Sequence, residues 1–238
     1  LETSLAYWRD QLAGAPALLQ LPLDHPRPPV RTFNGAAESV CIDENIGRAI
    51  AALAQSEGAT VFMAMAAAFQ LLLGRMAGTD DIVIGIPVAG RTRVEAESML
   101  GCFVNTLPLR TRIFADRSFR QLLGDVRKSS IDAYAHQAAP FDLLVERLNP
   151  QRNLSHAPIF QVLFNVLNMP GARRDLPGMR IERRISAAAN AKFDLTMYVD
   201  EQPEGIHLRL VYSTELFSAG RAGALVQQYV HLLEQIVT

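Results

Sequence analysis

The sequence predicts an α/β fold built on a mixed sheet. Two observations lead to this prediction: some stretches alternate apolar and polar residues, as strands do, and others repeat apolar residues every three or four positions, as helices do. The two kinds of stretch mix without a strict βα alternation, which favours an α/β sandwich with a mixed sheet. With 238 residues, 49% of them hydrophobic and 20% charged, the chain is long and apolar enough for one large domain.

The chain opens with a predicted short helix and a proline-rich segment. Apolar residues at helical spacing between Leu5 and Ala13 indicate an amphipathic helix that ends at Gly14. The prolines between Pro22 and Pro29 then exclude a helix and favour a semi-rigid, extended path. From the residues alone, this segment is a linker.

The next part of the chain is predicted to alternate strands with helices. The predicted elements are a strand at Glu38–Ile42, a helix at Asn45–Glu57, a helix at Val61–Met76 and a strand at Ile82–Val88. Gly58 ends the first of these helices and Thr60 is placed to cap the second. The second helix is apolar or Ala on every face until Arg75, so we expect it to lie inside the domain.

The C-terminal part adds helices and strands of both patterns. Ser118 and Gln121 form a predicted capping box for a helix that runs to about Ala135, and Pro140 starts a short second helix. The other predicted elements are strands at Ile159–Leu167, Arg180–Ser186, Phe193–Asp200 and Gly205–Phe217, a loop at Met169–Gly178 and a final helix from about Ala219.

Composition excludes several classes of function. A net charge of −1 argues against a nucleic acid or an anionic membrane as a partner held by bulk electrostatics. Two cysteines, Cys41 and Cys102, cannot build a disulfide framework, and no Cys/His spacing suits a metal, so a reduced, cytoplasmic setting is expected. No signal peptide is visible at the N-terminus. The longest apolar run, Val61–Leu73, is too short to span a bilayer.

The most informative stretch is Met99–Arg110, MLGCFVNTLPLR. Asn105 and Thr106 place an amide and a hydroxyl in apolar surroundings, where polar groups need partners. The residues that follow alternate, and they predict a half-buried strand whose solvent face carries Arg110 and Arg112. Cys102 is expected to be a small buried hydrophobic residue rather than a nucleophile.

Other candidate catalytic groups have weaker support. The chain has no Gly-x-Ser-x-Gly elbow and no glycine-rich loop of phosphate-binding type. The pair Asp80-Asp81 is expected to form a solvated turn before a strand. His136 is a candidate general base near neutral pH, and the alternative is an imidazole that ends a helix, where it favours the helix dipole.

Three stretches, in order along the chain, resemble one family. Met99–Arg110 resembles the Gly-x-Phe-Val-Asn-Thr-Leu signature of nonribosomal peptide synthetase condensation domains. Ala135–Asn168 resembles their His-Gln-x-x-Pro-Phe-(Glu/Asp) and Gln-Val-x-Phe-Asn segments, and Tyr7–Pro28 resembles the segment that joins their two lobes. The resemblance implies a chloramphenicol-acetyltransferase-like lobe, two of which form the whole condensation domain around a tunnel.

The family's catalytic His-His-x-x-x-Asp-Gly motif does not occur in this sequence. None of the five histidines has a His neighbour. The resemblance therefore implies the C-terminal, acceptor-side lobe alone, with residues 1–30 as the crossover between lobes and residues 31–238 as the lobe itself. The fragment is expected to be inactive without the other lobe.

The resemblance also assigns roles to individual residues. Arg91 is expected to pair with the Asp of the missing motif, the bidentate kind of pairing that fixes geometry, although a plain exposed loop arginine is the alternative. Asn105 is expected to support the site. The residues implied to line the substrate tunnel are Ala89, Gly90, Gly101, Phe103, Thr106, Asn165 and Asn168. For the asparagines, local hydrogen bonding is the competing explanation.

Further implications concern the latch and two departures from the family pattern. Met169–Gly178 or Ala187–Lys192 is expected to form a latch that reaches the other lobe. His156 stands where the family more often has Arg, which leaves any salt bridge there in doubt, and Ala138 replaces the usual Asp.

The implied reaction joins two carrier-bound substrates. A donor thioester and an acceptor aminoacyl thioester, each on the 4'-phosphopantetheine arm of a peptidyl carrier protein, form a peptide bond, and the lobe needs no cofactor of its own. Expected partners are the N-terminal lobe, the carrier proteins and a downstream adenylation domain. An epimerisation-domain lobe and a non-catalytic carrier-binding module remain alternatives. A plant-type acyltransferase is disfavoured, because the only tryptophan is Trp8.

Overall fold

The computed structural model describes residues 1–92, 94–148, 153–167, 188–202 and 205–238. Its helices are α1 (Glu2–Gln11), α2 (Glu44–Ser56), α3 (Val61–Ala77), α4 (Phe119–Ala135), α5 (Phe141–Leu148) and α6 (Ala219–Val237). Its strands are β1 (Asn34–Asp43), β2 (Asp81–Val88), β3 (Asn105–Arg112), β4 (Val162–Val166), β5 (Ala188–Asn190), β6 (Leu195–Gln202) and β7 (Gly205–Ser213).

The described strands form one mixed sheet, which confirms the predicted fold class. Their order is β3-β2-β4-β6-β7-β1-β5. Strand β4 runs parallel to both β2 and β6, and the other neighbouring pairs are antiparallel. The predicted strand at Arg180–Ser186 and the loop at Met169–Gly178 lie outside the described residues. The short strand β5 was not predicted.

The helix ends follow the predicted capping chemistry. The Ser118 hydroxyl accepts from the Gln121 amide at 3.3 Å, and the Gln121 side chain accepts from the Ser118 amide at 2.9 Å, so the capping box at α4 is confirmed. The Thr60 hydroxyl caps α3 by accepting from the amide of Met63 at 3.2 Å. These local interactions are readable from sequence because both partners lie within one helical turn.

One face of the sheet packs against the apolar helix α3, and the predicted burial of this helix is confirmed. The Phe69 ring lies 5.4 Å from that of Phe164 on β4, and the buried Gln70 side chain donates to the Leu109 carbonyl on β3 at 3.1 Å. Tyr229 of α6 donates its hydroxyl to the Met65 carbonyl at 2.8 Å. Complete burial raises the pKa of Tyr229 well above its ordinary value.

The other face is covered by residues from the start of the chain over β3, β2 and β4. Trp8 of α1 is 1% exposed, and Leu19 and Leu21 of the proline-rich segment are also buried. The Phe160 ring fills the space over Gly85, where an added Cβ would come within 2.2 Å of it. Residues 1–30 therefore pack into the same core as the rest of the described chain, and the proposed division at residue 30 stays a prediction.

Two ionic contacts fasten this N-terminal segment. Arg27 makes a bidentate pair with the buried Asp194 at the start of β6, with nitrogen–oxygen distances of 3.1 and 2.5 Å. Asp24 accepts from the amide and hydroxyl of Ser218 and from Arg221 at the beginning of α6. The backbone hydrogen bond from Ser218 is the largest of the interactions that lower the pKa of Asp24 to about 2.

The structure corrects the predictions for Asp81 and Arg110. Asp81 lies in β2 rather than in a solvated turn, and it accepts two hydrogen bonds from Arg110, at 2.8 and 2.5 Å. Arg110 is only 8% exposed, because the end of α1 covers it and the carbonyls of Gln11 and Ala13 accept from its Nη1. Arg112 is exposed as predicted. The hydrogen bonds to Asp81 raise the pKa of Arg110, and burial opposes them.

We predict that Arg110→Met lowers the free energy of unfolding by about 3 kcal/mol, because it leaves Asp81 and two carbonyls without their donor in a covered position. Urea denaturation followed by circular dichroism measures the change. Arg112→Met, on the same strand, is the matched control: this side chain is 65% exposed and its Nε lies 4.0 Å from Asp81 Oδ2. Because an exposed, long ion pair contributes little, this change should alter the value by less than about 0.5 kcal/mol. Equal effects of the two substitutions would contradict this account of the Arg110 contacts.

Candidate functional site

The segment after β2 turns back on itself at Gly90. Gly90 has φ of +68°, and a Cβ there would lie 1.9 Å from the Phe103 carbonyl oxygen. Only glycine fits, because the conformation is left-handed and the space is occupied by backbone. Ala89 beside it is exposed, and Phe103 is half-buried. The structure thus brings Ala89, Gly90 and Phe103 together at one end of the sheet.

Arg91 holds the loop that follows this turn. Its Nη1 donates to the carbonyls of Ala96 and, at 3.0 Å, Met99, and its Nη2 donates to the Gly101 carbonyl at 3.3 Å. The guanidinium carbon also lies 4.5 Å from the centre of the Phe103 ring, within cation–π distance. Arg91 is therefore not a free loop arginine: it organises the described part of the loop from residue 92 to residue 101.

This loop exposes apolar side chains. Leu100 is fully exposed, and Val94, Met99 and Val104 are each more than half exposed. We call the exposed side chains of Val94, Met99, Leu100 and Val104 the apolar loop surface. Cys102 is exposed as well, so the prediction that it is buried is wrong. The apolar sequence around Cys102 suggested a core position, but the loop leaves Cys102 and its neighbours Leu100 and Gly101 exposed.

The Asn105 side chain uses its whole hydrogen-bonding capacity inside the chain. Its Nδ2 donates to the carbonyls of Gln137 and Ala139, at 2.9 and 2.8 Å. Its Oδ1 accepts from the amides of Thr106 and Phe141, at 2.9 and 3.0 Å. The expectation that this amide needs partners is confirmed. Asn105 ties the start of β3 to the connection between α4 and α5.

His136 lies at the end of α4, which confirms the second of its two interpretations. It is the C-cap residue of the helix, its ring stacks on that of Tyr7 with 4.1 Å between centres, and its Nδ1 lies 3.4 Å from the Ser4 hydroxyl. Trp8 donates its indole N–H to the His136 carbonyl at 3.1 Å. Burial, followed by the nearby charge of Asp132, raises the pKa of Tyr7 to about 12. His136 thus helps to attach α1.

Asn165 belongs to a row of polar side chains that crosses four strands. The strand registers place Asn165 beside Tyr198, Tyr198 beside Arg209, and Arg209 beside Ser39. Neighbours in register point to the same face, and this face is the one opposite α3. The Asn165 side chain makes no hydrogen bond to another described residue, in contrast to Asn105. Asn168, the other predicted asparagine, lies outside the described residues.

Tyr198 and Arg209 are candidate site residues that the sequence prediction missed. Each lies within a strand that was predicted correctly, and their alternation with apolar neighbours indicated the outward face. The missing information was the strand order, because β4, β6, β7 and β1 become neighbours only in the folded sheet. His156 lies on a separate loop, where its Nδ1 is 3.1 Å from the Ala157 carbonyl oxygen.

The described ranges contain neither a cluster of metal-ligating side chains nor a single membrane-crossing helix. No group of three or more His, Cys, Asp or Glu side chains in these ranges is arranged to hold a metal ion. No one described helix is long and apolar enough to cross a bilayer; α2 and α3 reach that length and composition only as a pair, with a bend of 102° between them.

Comparison with known proteins identifies the family. The family model for the condensation domain matches residues 1–238. The chain is 42% identical over 238 residues to one of the linear gramicidin synthase proteins of Brevibacillus parabrevis, a match that covers 99% of this chain and 3% of that protein. It is 38% identical to surfactin synthase subunit 1 of Bacillus subtilis, covering 96% of this chain and 6% of that protein. The chain thus spans only a small part of these curated relatives.

Solved structures share the fold. A holo four-domain nonribosomal peptide synthetase bound to AMP and glycine matches with a TM-score of 0.90 and 28% identity, over 98% of this chain and 19% of that one. The X-domain from teicoplanin biosynthesis matches with a TM-score of 0.90 and 28% identity, over 99% of this chain and 54% of that one. The fold is therefore the chloramphenicol-acetyltransferase-like α/β fold of these proteins, and the chain belongs to the condensation-domain family of nonribosomal peptide synthetases.

Proposed function

We propose that this chain is the C-terminal, acceptor-side lobe of a condensation domain that joins a donor acyl or peptidyl thioester to an acceptor aminoacyl thioester. The family match supports the reaction, and the coverage of about half of the X-domain chain supports a single lobe. The sequence contains no adjacent pair of histidines. The group that accepts the proton from the acceptor amine then belongs to the other lobe, and this chain alone is inactive.

The observation that carries this proposal is the apolar loop surface. Four apolar side chains project from one loop that Arg91 holds in shape, next to the Asn105 connection. Exposed apolar groups of this kind mark a surface that another protein covers. The N-terminal lobe is the partner that fits, because the loop leads into the segment that resembles the condensation-domain signature and so lies beside the proposed tunnel.

Arg91 retains donors for the other lobe. A guanidinium has five N–H groups, and the three contacts described above use three of them. The two that remain are one on Nε and one on Nη2, and charge-assisted hydrogen bonds from such groups suit a carboxylate. We propose that Arg91 holds its own loop and also pairs with the Asp of the motif in the N-terminal lobe. In this role it is a positioning residue.

In the proposed reaction, the acceptor amine attacks the donor thioester carbonyl, a C–N bond forms, the C–S bond breaks, and the donor carrier's thiol leaves. The proton lost by the amine passes to the base in the N-terminal lobe. This chain contributes one wall, which holds the two pantetheine arms end to end, an effect of proximity.

The proposed tunnel lining is Ala89, Gly90, Gly101, Phe103, Thr106, Asn165 and Asn168. The Asn165 amide, which bonds to no other described residue, suits the arm's amide groups. A carrier protein and a downstream adenylation domain complete the proposed set of partners.

Two other functions remain alternatives. An epimerisation-domain lobe is disfavoured, because Gly101-Cys102-Phe103-Val104-Asn105-Thr106 stands where that branch usually has a Gly-Trp-Phe-Thr type of sequence. A non-catalytic binding module has a specific observation in its favour: the teicoplanin X-domain, whose complex with OxyB has been solved, matches this chain with a TM-score of 0.87 in that complex. Activity after the second lobe is added separates this alternative from the proposed one.

We predict that the chain forms a peptide bond only when it is mixed with the N-terminal lobe of its parent and two loaded carrier proteins. Intact mass spectrometry of the carriers detects the dipeptidyl thioester. Arg91→Ala should lower the yield at least about tenfold, because it releases the loop and removes the proposed pairing partner. Arg48→Ala, at an exposed position on α2, is the control and should leave the yield unchanged. Product from this chain alone would contradict the proposal. Association of the lobes without product would favour the binding module.

We predict that Leu100→Asp weakens association with the N-terminal lobe at least about tenfold, because it places a charge in an interface that buries apolar side chains. Isothermal titration calorimetry with the separate N-terminal lobe measures the affinity. Leu154→Asp changes a leucine that is also strongly exposed, on a different loop, and should have no effect. If Leu100→Asp binds as tightly as the unchanged chain, the apolar loop surface is not the interface between lobes.

A further prediction concerns Asn105, which holds the start of β3 beside the proposed tunnel. Asn105→Asp should lower the free energy of unfolding by about 3 kcal/mol, because a carboxylate replaces two N–H donors that face the carbonyls of Gln137 and Ala139. Thermal and urea unfolding measure the loss. Asn153→Asp is the matched control, since the Asn153 oxygen accepts from Ser155 and Asp keeps that oxygen. A loss no larger than that of the control would show that the amide donors do not stabilise the fold.

A further inference from the structure

Cys41, His207 and Asp200 lie in one row across three strands of the sheet. Cys41 on β1 is in register with His207 on β7, and His207 is in register with Asp200 on β6. Side chains in register point to the same face, so a thiol, an imidazole and a carboxylate follow one another across the sheet. This row is separate from the apolar loop surface, and it has no part in the proposed condensation reaction.

The thiol and the imidazole are in contact. The Cys41 sulfur lies 3.8 Å from the His207 Nε2, a hydrogen-bonding distance for sulfur. The side chain of Cys41 is exposed, so a reagent in solution can reach the sulfur. The pair rests on two adjacent antiparallel strands, where the ladder fixes both backbones and limits the geometry of the two side chains.

This arrangement suits nucleophilic chemistry at sulfur. A thiol reacts as its thiolate, and an imidazole in hydrogen-bonding contact can take up the proton. Asp200 follows His207 in the row, and its Oδ1 accepts from the Gln202 side chain at 2.8 Å. Among the described residues, two further charged groups on this face lie near the row: Asp43, two residues along β1 from Cys41, and Arg209, two residues along β7 from His207.

We propose that Cys41 is a site of S-thiolation by low-molecular-weight disulfides, with His207 as the base that activates it. His207 takes the proton from the Cys41 thiol, and the thiolate attacks one sulfur of the disulfide. A new sulfur–sulfur bond forms at Cys41, the sulfur–sulfur bond of the reagent breaks, and its second half leaves as a thiolate that receives the proton from His207. The product is a mixed disulfide at Cys41 and one free small thiol.

Cys102 provides an internal comparison within the same molecule. It is the other cysteine of the sequence, and it is exposed too. Within the described ranges, no imidazole makes a hydrogen bond to it. A difference in reactivity between the two thiols therefore reports on the His207 contact rather than on access to solvent alone.

The experiment measures both rates in one sample. The unchanged 238-residue chain is incubated with excess oxidised glutathione at pH 7, quenched at intervals, and mapped by peptide mass spectrometry. We expect Cys41 to be glutathionylated at least about fivefold faster than Cys102. His207→Gln should lower the Cys41 rate to about that of Cys102, while the Cys102 rate stays the same.

Two controls separate a specific effect of His207 from a general effect of the substitution. His231→Gln, at an exposed histidine of α6, should leave both rates unchanged. Circular dichroism shows whether the His207→Gln variant is folded. If it is not, the comparison of the Cys41 and Cys102 rates in the unchanged chain still tests the proposal. Equal rates for the two cysteines there, or an unaltered Cys41 rate in a folded His207→Gln variant, would overturn the proposal.

Discussion

The structure depends on how the two faces of a single mixed sheet are covered. One face is closed by helices, with α3 as the most apolar of them and with Phe69 packed on Phe164 at its centre. The other face is closed over β3, β2 and β4 by residues from the start of the chain, through Trp8 and the contacts of Arg110 with the end of α1. Over β6, β7 and β1 the same face carries polar side chains instead. A sheet with one apolar face and one mixed face has room for function on the second.

This asymmetry explains why two asparagines with similar surroundings in sequence have different roles in the structure. Asn105 lies where β3 meets the connection between α4 and α5, and four hydrogen bonds use its amide completely. Asn165 lies on β4 where the covered part of the face meets the polar part, beside Tyr198 and in line with Arg209. An amide that is fully paired inside the chain stabilises the fold, whereas one whose side chain bonds to no described residue is available to a ligand.

The loop between β2 and β3 is built by interactions within itself. Arg91 donates to backbone carbonyls of the loop and stacks on Phe103, while Gly90 allows the backbone to pass close to the Phe103 carbonyl. Backbone carbonyls are used inside the loop, and four apolar side chains lie outside it together with the exposed Glu95 and Glu97. A loop of fixed shape that exposes apolar side chains is suited to packing against a second lobe. The same loop accounts for the exposed position of Cys102.

The sequence by itself determined the local features of this protein. Helix caps such as Ser118 with Gln121, the apolar helix α3 and the alternating strands are set by partners a few residues apart, so their chemistry is readable in order along the chain. The motifs around Asn105 were sufficient to indicate the family. The predicted ends of helices and strands differ from the observed ends by a few residues. The strand β5 was not predicted, because a strand of three residues is too short to show a periodic pattern.

Only the tertiary structure decided the contacts between distant segments. The alternating pattern of its strand predicts that Arg110 faces solvent. In the structure, the end of α1 covers Arg110, and Asp81 pairs with it. Polar residues on β4, β6, β7 and β1 form rows because of the strand order, and Cys41 meets His207 for the same reason. A sequence pattern indicates on which face of its strand a residue lies. Which residues become neighbours on that face depends on the order of the strands in the sheet. That order is set when the whole chain packs into one core.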